Sequence, residues 1–323
     1  MKIVFFGTPD FAVASLDALV SKGFEVAAVV TMPDKAAGRG QHLSQSAVKK
    51  YAVEHNLPLL QPVKLKDPEF LADLEAVGAD LFIVIAFRML PEAVWQMPPL
   101  GTFNLHASLL PLYRGAAPIN RAVMNGDAVT GVTTFMLKHE IDTGDVLRQE
   151  SITIGPDENA GSVHDRLMAL GAELTLDTVR RIAAGDLRPI PQDKLLKGVE
   201  PTPAPKIFKE DCRIDWTLGA QAVHNHVRGL APYPAAWTEM RLFKDQAEAE
   251  TTVKILETRL ARQGAPALQP GELALVGKKA YAGTGDGAIE LVQLQAAGKR
   301  PMAAPDYLRG LRIGENGRAP YFI

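Results

Sequence analysis

Along the first hundred positions, short apolar runs alternate with stretches of helical spacing. Residues 3–6 form one such run, and Thr8-Pro9-Asp10 opens an amphipathic helix that reaches about Ser21. Residues 25–31 predict a second strand, 57–60 a short third, and 81–86 a strand apolar on both faces, as a parallel sheet requires. Residues 101–106 predict the next. Helices are expected over 45–55 and 67–77, and a long polar loop over 32–46. Alternation of this kind gives an α/β domain with a doubly wound, mostly parallel sheet and right-handed crossovers. Ligands in such sheets bind outside the carboxyl ends of the strands.

The pattern then changes. A long helix over 160–184 carries an apolar stripe through Val163, Leu167, Leu170, Leu174 and Val179 and stops at Gly185. Pro189, Pro191, Pro201, Pro203 and Pro205 punctuate the aperiodic stretch that follows, which reads as a linker. After a helix over 220–230 come short β-prone runs at 236–242, 252–260, 272–276 and 288–294. The cluster Gly283-Thr284-Gly285-Asp286-Gly287 marks a turn between the last two. Short strands with glycine turns predict a small barrel. A chain of 323 residues exceeds one ordinary core, so two domains are expected, at 1–188 and 207–323, with a linker at 189–206.

Composition narrows the partners. A formal net charge of -2 provides no global basic field, although residues from 205 onward hold 16 Lys and Arg against 13 Asp and Glu. The single cysteine, Cys212, has no partner for an internal disulfide, which fits a reducing cytoplasm. The apolar opening breaks at Gly7-Thr8-Pro9-Asp10, too early for a signal peptide, and no run approaches a membrane span. A cytoplasmic enzyme with no membrane partner is expected.

Chemistry concentrates around residues 104–145. Asn104 and His106 lie two apart at the end of a predicted strand, so alternation points both to one face. An apolar loop, Ser108-Leu109-Leu110-Pro111, follows, and then Arg114-Gly115-Ala116-Ala117-Pro118. About thirty residues on comes an acidic turn, Ile141-Asp142-Thr143-Gly144-Asp145. An amide can steady an oxyanion, an imidazole can carry a proton, and a carboxylate can orient both. These are the groups for moving an acyl unit onto an amine without a covalent intermediate. Nucleotide chemistry is disfavoured: the first turn, Gly7-Thr8-Pro9-Asp10, has one glycine where a dinucleotide site needs three, and there is no P-loop. Metal is not expected either, since His224 and His226 diverge on a helix and His106 with Asp142 lacks a third ligand. The loop around Lys35, Arg39, His42, Lys49 and Lys50 is long for a compact domain and suits a basic arm for a phosphate backbone.

Together these residues resemble the methionyl-tRNA formyltransferase family of folate-dependent formyltransferases. The likeness runs through residues 6–11 (FGTPDF), 33–40 (PDKAAGRG), 104–111 (NLHASLLP), 114–119 (RGAAPI), 142–145 (DTGD) and 213–216 (RIDW). It departs from the family at Ala36, where proline is common, and at Arg88, where glycine is common. The resemblance implies a Rossmann-like catalytic domain and an OB-like C-terminal β-barrel. It implies formyl transfer from 10-formyltetrahydrofolate, as co-substrate, to the α-amine of methionyl-initiator tRNA for translation initiation. Asn104, His106 and Asp142 would be catalytic. Phe87, Arg88, Met89, Leu90, Ser108, Leu109, Leu110, Pro111, Glu140 and Ile141 would line the folate. Lys35, Arg39, His42, Lys206, Lys209, Lys299 and Arg300 would meet the tRNA, and a monomer is expected. Two rivals are a formyltransferase acting on a small amine and a tRNA-binding module on a dead scaffold. The first should lack the 32–46 loop and the barrel, and the second an intact trio.

Overall fold

The computed structural model describes residues 1–37, 42–196, 198, 200–244, 247–261, 264–311 and 319–323. They fall into two compact units. The first comprises Met1–Pro118, Val129–Ile152 and His164–Ala204, the second Ile119–Ala128, Thr153–Val163 and Pro205–Ile323. The short segments 119–128 and 153–163, expected within the α/β domain, thus group with the C-terminal part.

In the first unit a seven-stranded sheet runs in the order Val146–Thr153, Val129–Met136, Thr102–His106, Leu81–Ile85, Lys2–Gly7, Glu25–Val30, Leu59–Leu60. The last five strands pair in parallel. Val129–Met136 lies antiparallel to Thr102–His106. Alternation sends Val4, Phe6, Val30, Phe82 and Val84 to one face, where Phe70 and Leu74 of the helix Pro68–Ala76 pack on them. Ile3, Phe5, Ile83 and Ile85, on the other face, are fully buried. The long helix Ala160–Ala184 approaches that second face at Gly171, where a Cβ would lie 2.7 Å from a Leu105 methyl carbon. Asn104 and His106 alternate with Leu105 and therefore point to the first face. Helix starts follow local chemistry: Ser46 Oγ accepts from the Lys49 amide, and Asp67 precedes Pro68 at the first helical position.

Three differences from the sequence expectations have physical causes. The strands Val129–Met136 and Val146–Thr153 were not anticipated. Their buried threonines are satisfied by specific partners, Thr133 by Ser108 and Thr134 by Thr178, and so do not read as an apolar alternation. The loop expected over 32–46 contains a small antiparallel ladder, Lys35–Ala37 with His42–Ser44. The stretch expected as a linker carries a 3-10 turn, Gln192–Leu195, and a strand, Pro203–Ala204, that pairs with Arg114–Gly115. It packs into the first unit as far as Ala204.

The second unit is built on antiparallel strands in the order Leu273–Val276, Lys279–Thr284, Gly287–Ala296, Ala247–Leu260, Ala236–Lys244, Tyr321–Phe322. Its first and last strands meet: Glu272 bridges Tyr321, and the Phe322 amide donates to the Gly271 carbonyl at 2.8 Å. The sheet therefore closes on itself as a barrel. Lys279–Thr284 was not anticipated, because alanine and glycine give it little β propensity; its hairpin turns at Gly285-Asp286, inside the predicted turn cluster. The helix Ala220–Leu230 inserts Val223, Val227 and Leu230 into the barrel core beside Met240, Ile255, Leu291 and Phe322. Among the described residues no helix is long and apolar enough to cross a membrane.

Candidate active site

The strand Thr102–His106 ends with His106, 8% exposed, at the carboxyl edge of the sheet. Its Nε2 lies 2.8 Å from the Tyr113 carbonyl oxygen. A carbonyl only accepts, so Nε2 carries a proton and the neutral ring keeps its lone pair on Nδ1. Nδ1 faces Asp142 Oδ2 at 3.9 Å, and Phe135 presents its ring edge-on at 6.4 Å between centroids. Asn104, on the same strand face, is half-buried, and its side-chain amide has no hydrogen-bond partner among the described residues.

Asp142 sits at φ +55, a left-handed position that aspartate tolerates better than most residues. Its Oδ2 accepts from the Gly115 amide at 2.8 Å. Gly115, at φ +124, faces Ala204 so closely that a Cβ would meet the Ala204 carbonyl. Gln192 donates to the Asp142 and Gly144 carbonyls and accepts from Arg114. Sequence reasoning missed Gln192, and nothing in its aperiodic surroundings marks it.

The apolar loop is fixed from beneath. Thr133 donates to the Ser108 carbonyl at 2.6 Å and accepts from the Leu110 amide at 3.1 Å. Gln149 donates to the Leu110 carbonyl and to Thr133. Ser108 is buried and donates to the Leu112 carbonyl, so its hydroxyl is already committed. Leu110 is buried, and the bond from it to Pro111 is cis. Leu109 lies against Gly131, with no space for a side chain there.

Residues 87–90 leave the neighbouring strand Leu81–Ile85 at the same carboxyl edge. Phe87 stacks edge-on with Phe6, Leu90 is buried, and Met89 is 71% exposed. Arg88 turns away and donates to the carbonyls of Pro62 and Val63. Burial pushes its guanidinium pKa below the usual arginine value, and its Nε is buried without a partner. In the turn before Asp142, Glu140 is exposed and Ile141 is 60% exposed. His139 reaches Glu92 at 3.0 Å. Asn104 and His106 at a strand end, Asp142 in its turn, and the folate-lining candidates 87–90, 108–111 and 140–141 thus all belong to the first unit.

The basic candidates separate. Lys35 and His42 lie on the paired strands of the small ladder, and Arg39 lies outside the described residues. Lys49 is bound to Asp34 at 2.6 Å, which holds that carboxyl below its usual pKa. In the second unit, Lys206 stands 5.4 Å over the Phe208 ring. Lys209 and Arg213 stand 5.6 and 5.8 Å over Trp237. Trp237 pairs across the sheet with Lys254, and Lys254 with Gln295, whose side chain donates to the Lys299 carbonyl. Lys209, Arg213, Lys254 and Lys299 therefore follow one row across the barrel surface, with Arg300 exposed on the same turn as Lys299. Lys254 was missed because only strand register brings it beside Trp237. His224 contacts Thr258 and Pro156, and burial lowers the pKa of both His224 and His226. Among the described residues no group of three His, Cys, Asp or Glu could hold a metal.

Comparison with known proteins gives a consistent picture. Residues 1–179 match the formyl transferase family model, and residues 206–312 match the model for the formyl transferase C-terminal domain. A protein of Bacteroides fragilis named methionyl-tRNA formyltransferase is 52% identical over 316 residues, covering 98% of this chain and 96% of its own. One of Porphyromonas gingivalis with the same name is 47% identical, covering 98% and 97%. Among solved structures, the sugar 3N-formyl transferase WlaRD matches with TM-score 0.66 at 18% identity, over 93% of this chain and 99% of its own. HypX of Aquifex aeolicus, in complex with tetrahydrofolic acid, matches with TM-score 0.61 at 21% identity, over 95% and 47%. At such identities the structural matches speak for the fold alone.

Proposed function

The chain belongs to the formyl transferase family, and from that premise we propose that Asn104, His106 and Asp142 carry the group transfer. The reaction moves a formyl group from 10-formyltetrahydrofolate to the α-amine of methionyl-tRNA, giving formylmethionyl-tRNA for translation initiation. The donor supplies an activated formyl carbon; the chain supplies positioning and proton movement. An α-amine has a reference pKa of about 7.7–8.0, so a neutral fraction is available near neutral pH. Its nitrogen bonds to the formyl carbon, whose oxygen gathers negative charge. The uncommitted Asn104 amide donates to that oxygen, a type of contact worth about 3 kcal/mol. With Nε2–H held by the Tyr113 carbonyl, Nδ1 of His106 is the nitrogen left to exchange a proton. It takes the proton from the attacking amine and hands it to the folate nitrogen as the old carbon–nitrogen bond breaks. Asp142, its Oδ2 3.9 Å from Nδ1, faces the ring on the side where the proton is in transit.

The observation that carries this reading is a free amide two residues from an imidazole tied at its far nitrogen, on one strand face. Phe87, Met89, Leu90, Leu109, Leu110, Pro111, Glu140 and Ile141 suit a folate wall, being apolar side chains or exposed loop backbone at that edge. The acceptor we infer is the initiator tRNA, gripped by the 35–42 arm and by Lys206, Lys209, Arg213, Lys254, Lys299 and Arg300. We read the protein as a cytoplasmic monomer. Single-turnover formylation tests the trio. His106→Ala and Asn104→Ala should each slow the step at least about 100-fold, with charged-tRNA binding near wild type. A normal rate in either variant overturns its assigned role.

A further inference from the structure

Gln192 is 3% exposed and uses every hydrogen-bonding position of its amide. Its Oε1 accepts from Arg114 Nε at 3.0 Å and Nη2 at 2.7 Å. Its Nε2 donates to the carbonyls of Asp142 and Gly144, each at 2.8 Å. The chemistry of the partners fixes this orientation, because a guanidinium only donates and carbonyls only accept. The turn it grips is not one the backbone adopts readily by itself. Asp142 is left-handed, and a side chain at Gly144 would collide with the Met136 carbonyl.

The same segment reaches the second support of His106. The Thr202 carbonyl accepts from the Tyr113 amide, and Pro203–Ala204 pairs with Arg114–Gly115. Tyr113 supplies the carbonyl on His106 Nε2, and Gly115 supplies the amide on Asp142 Oδ2. Both sides of the imidazole are thus held through residues 192–204, and among the described residues of that segment it is the Gln192 side chain that hydrogen-bonds the 142–144 turn.

We propose that Gln192 is a positioning residue for formyl transfer, holding the 142–144 turn so that the Asp142 carboxylate stays beside His106 Nδ1. The inference rests on the catalytic reading of Asp142 given above. Groups that orient a reacting side chain typically contribute about 10- to 100-fold to the rate. Gln192→Met keeps the length and removes all four hydrogen bonds. Gln192→Glu keeps the acceptor for Arg114 but cannot donate to the two carbonyls, and so remains informative if the methionine variant folds poorly.

The experiment measures kcat, both KM values and the pH profile of kcat for these variants, for Asp142→Asn and for the double variants. Gln192→Met and Gln192→Glu should lose about 10- to 100-fold in kcat, with both KM values nearly unchanged. Their pH profile should shift as that of Asp142→Asn does, and neither substitution should slow Asp142→Asn further. Full turnover by a folded Gln192 variant, or defects that multiply with Asp142→Asn, would overturn the positioning role while leaving slow Asp142→Asn as support for the carboxylate. Normal turnover by Asp142→Asn would instead overturn the catalytic reading of Asp142, and the inference with it.

Discussion

The trio around His106 and the cationic row on the barrel solve opposite problems. In the first unit each reacting group is half-buried or buried, and its neighbours are held by hydrogen bonds at fixed distances. In the second unit the cations are exposed on the barrel surface, and Lys206, Lys209 and Arg213 stand over aromatic faces. Group transfer needs geometry good to a fraction of an ångström, whereas a polyanion is attracted by charge over a Debye length of about 10 Å. Substitutions in the two regions should therefore fail differently: in kcat and without additivity in the first, in acceptor KM and additively in the second.

Loss of Asn104 or His106 sets the upper end of that scale. Gly115→Ala should come next. The new Cβ meets the Ala204 carbonyl at a left-handed position, strain worth about 1–3 kcal/mol. We expect a lower melting temperature and a kcat reduced by about tenfold or more; wild-type values for both would show that the Gly115 contact does not matter. Arg88→Ala releases the Pro62 and Val63 carbonyls. Because those bonds anchor the 87–90 loop, whose Phe87, Met89 and Leu90 we place at the folate wall, it should raise the folate donor's KM by about 3- to 10-fold, the equivalent of one net hydrogen bond, with kcat and acceptor KM unchanged. A change confined to the acceptor would contradict its placement. Smallest are Lys209→Ala and Lys254→Ala, each raising the tRNA KM by about 2- to 5-fold at low salt. The two should combine additively and flatten the salt dependence, and a salt-independent effect would separate them from phosphate contact.

The legible part of the site was the part that obeys a local rule. Asn104 and His106 share a face because a strand alternates, and residues 81–86 declare a buried strand by being apolar throughout. Asp142 showed as the acid of a turn about thirty residues on, and the family motif at 142–145 repeats it. Gln192 obeys no local rule: its partners lie 78, 50 and 48 positions away, and proline-broken sequence conceals that it is buried. Lys254 was hidden for a related reason, since a lysine in a β-prone run says nothing of its cross-strand neighbour until register is known. The threonine-rich strands went unseen because their buried hydroxyls imitate surface polarity.

Closure of the barrel through Glu272, Gly271, Tyr321 and Phe322 also imposes an order of assembly during synthesis. The sheet of the first unit, with its Gln192 and Pro203–Ala204 supports, needs nothing beyond Ala204. The second unit needs a segment translated early, 119–128, whose Met124 packs on the barrel core beside Gly229. That segment must wait, apolar residues uncovered, until the ribosome has released strands nearly two hundred residues later in the chain.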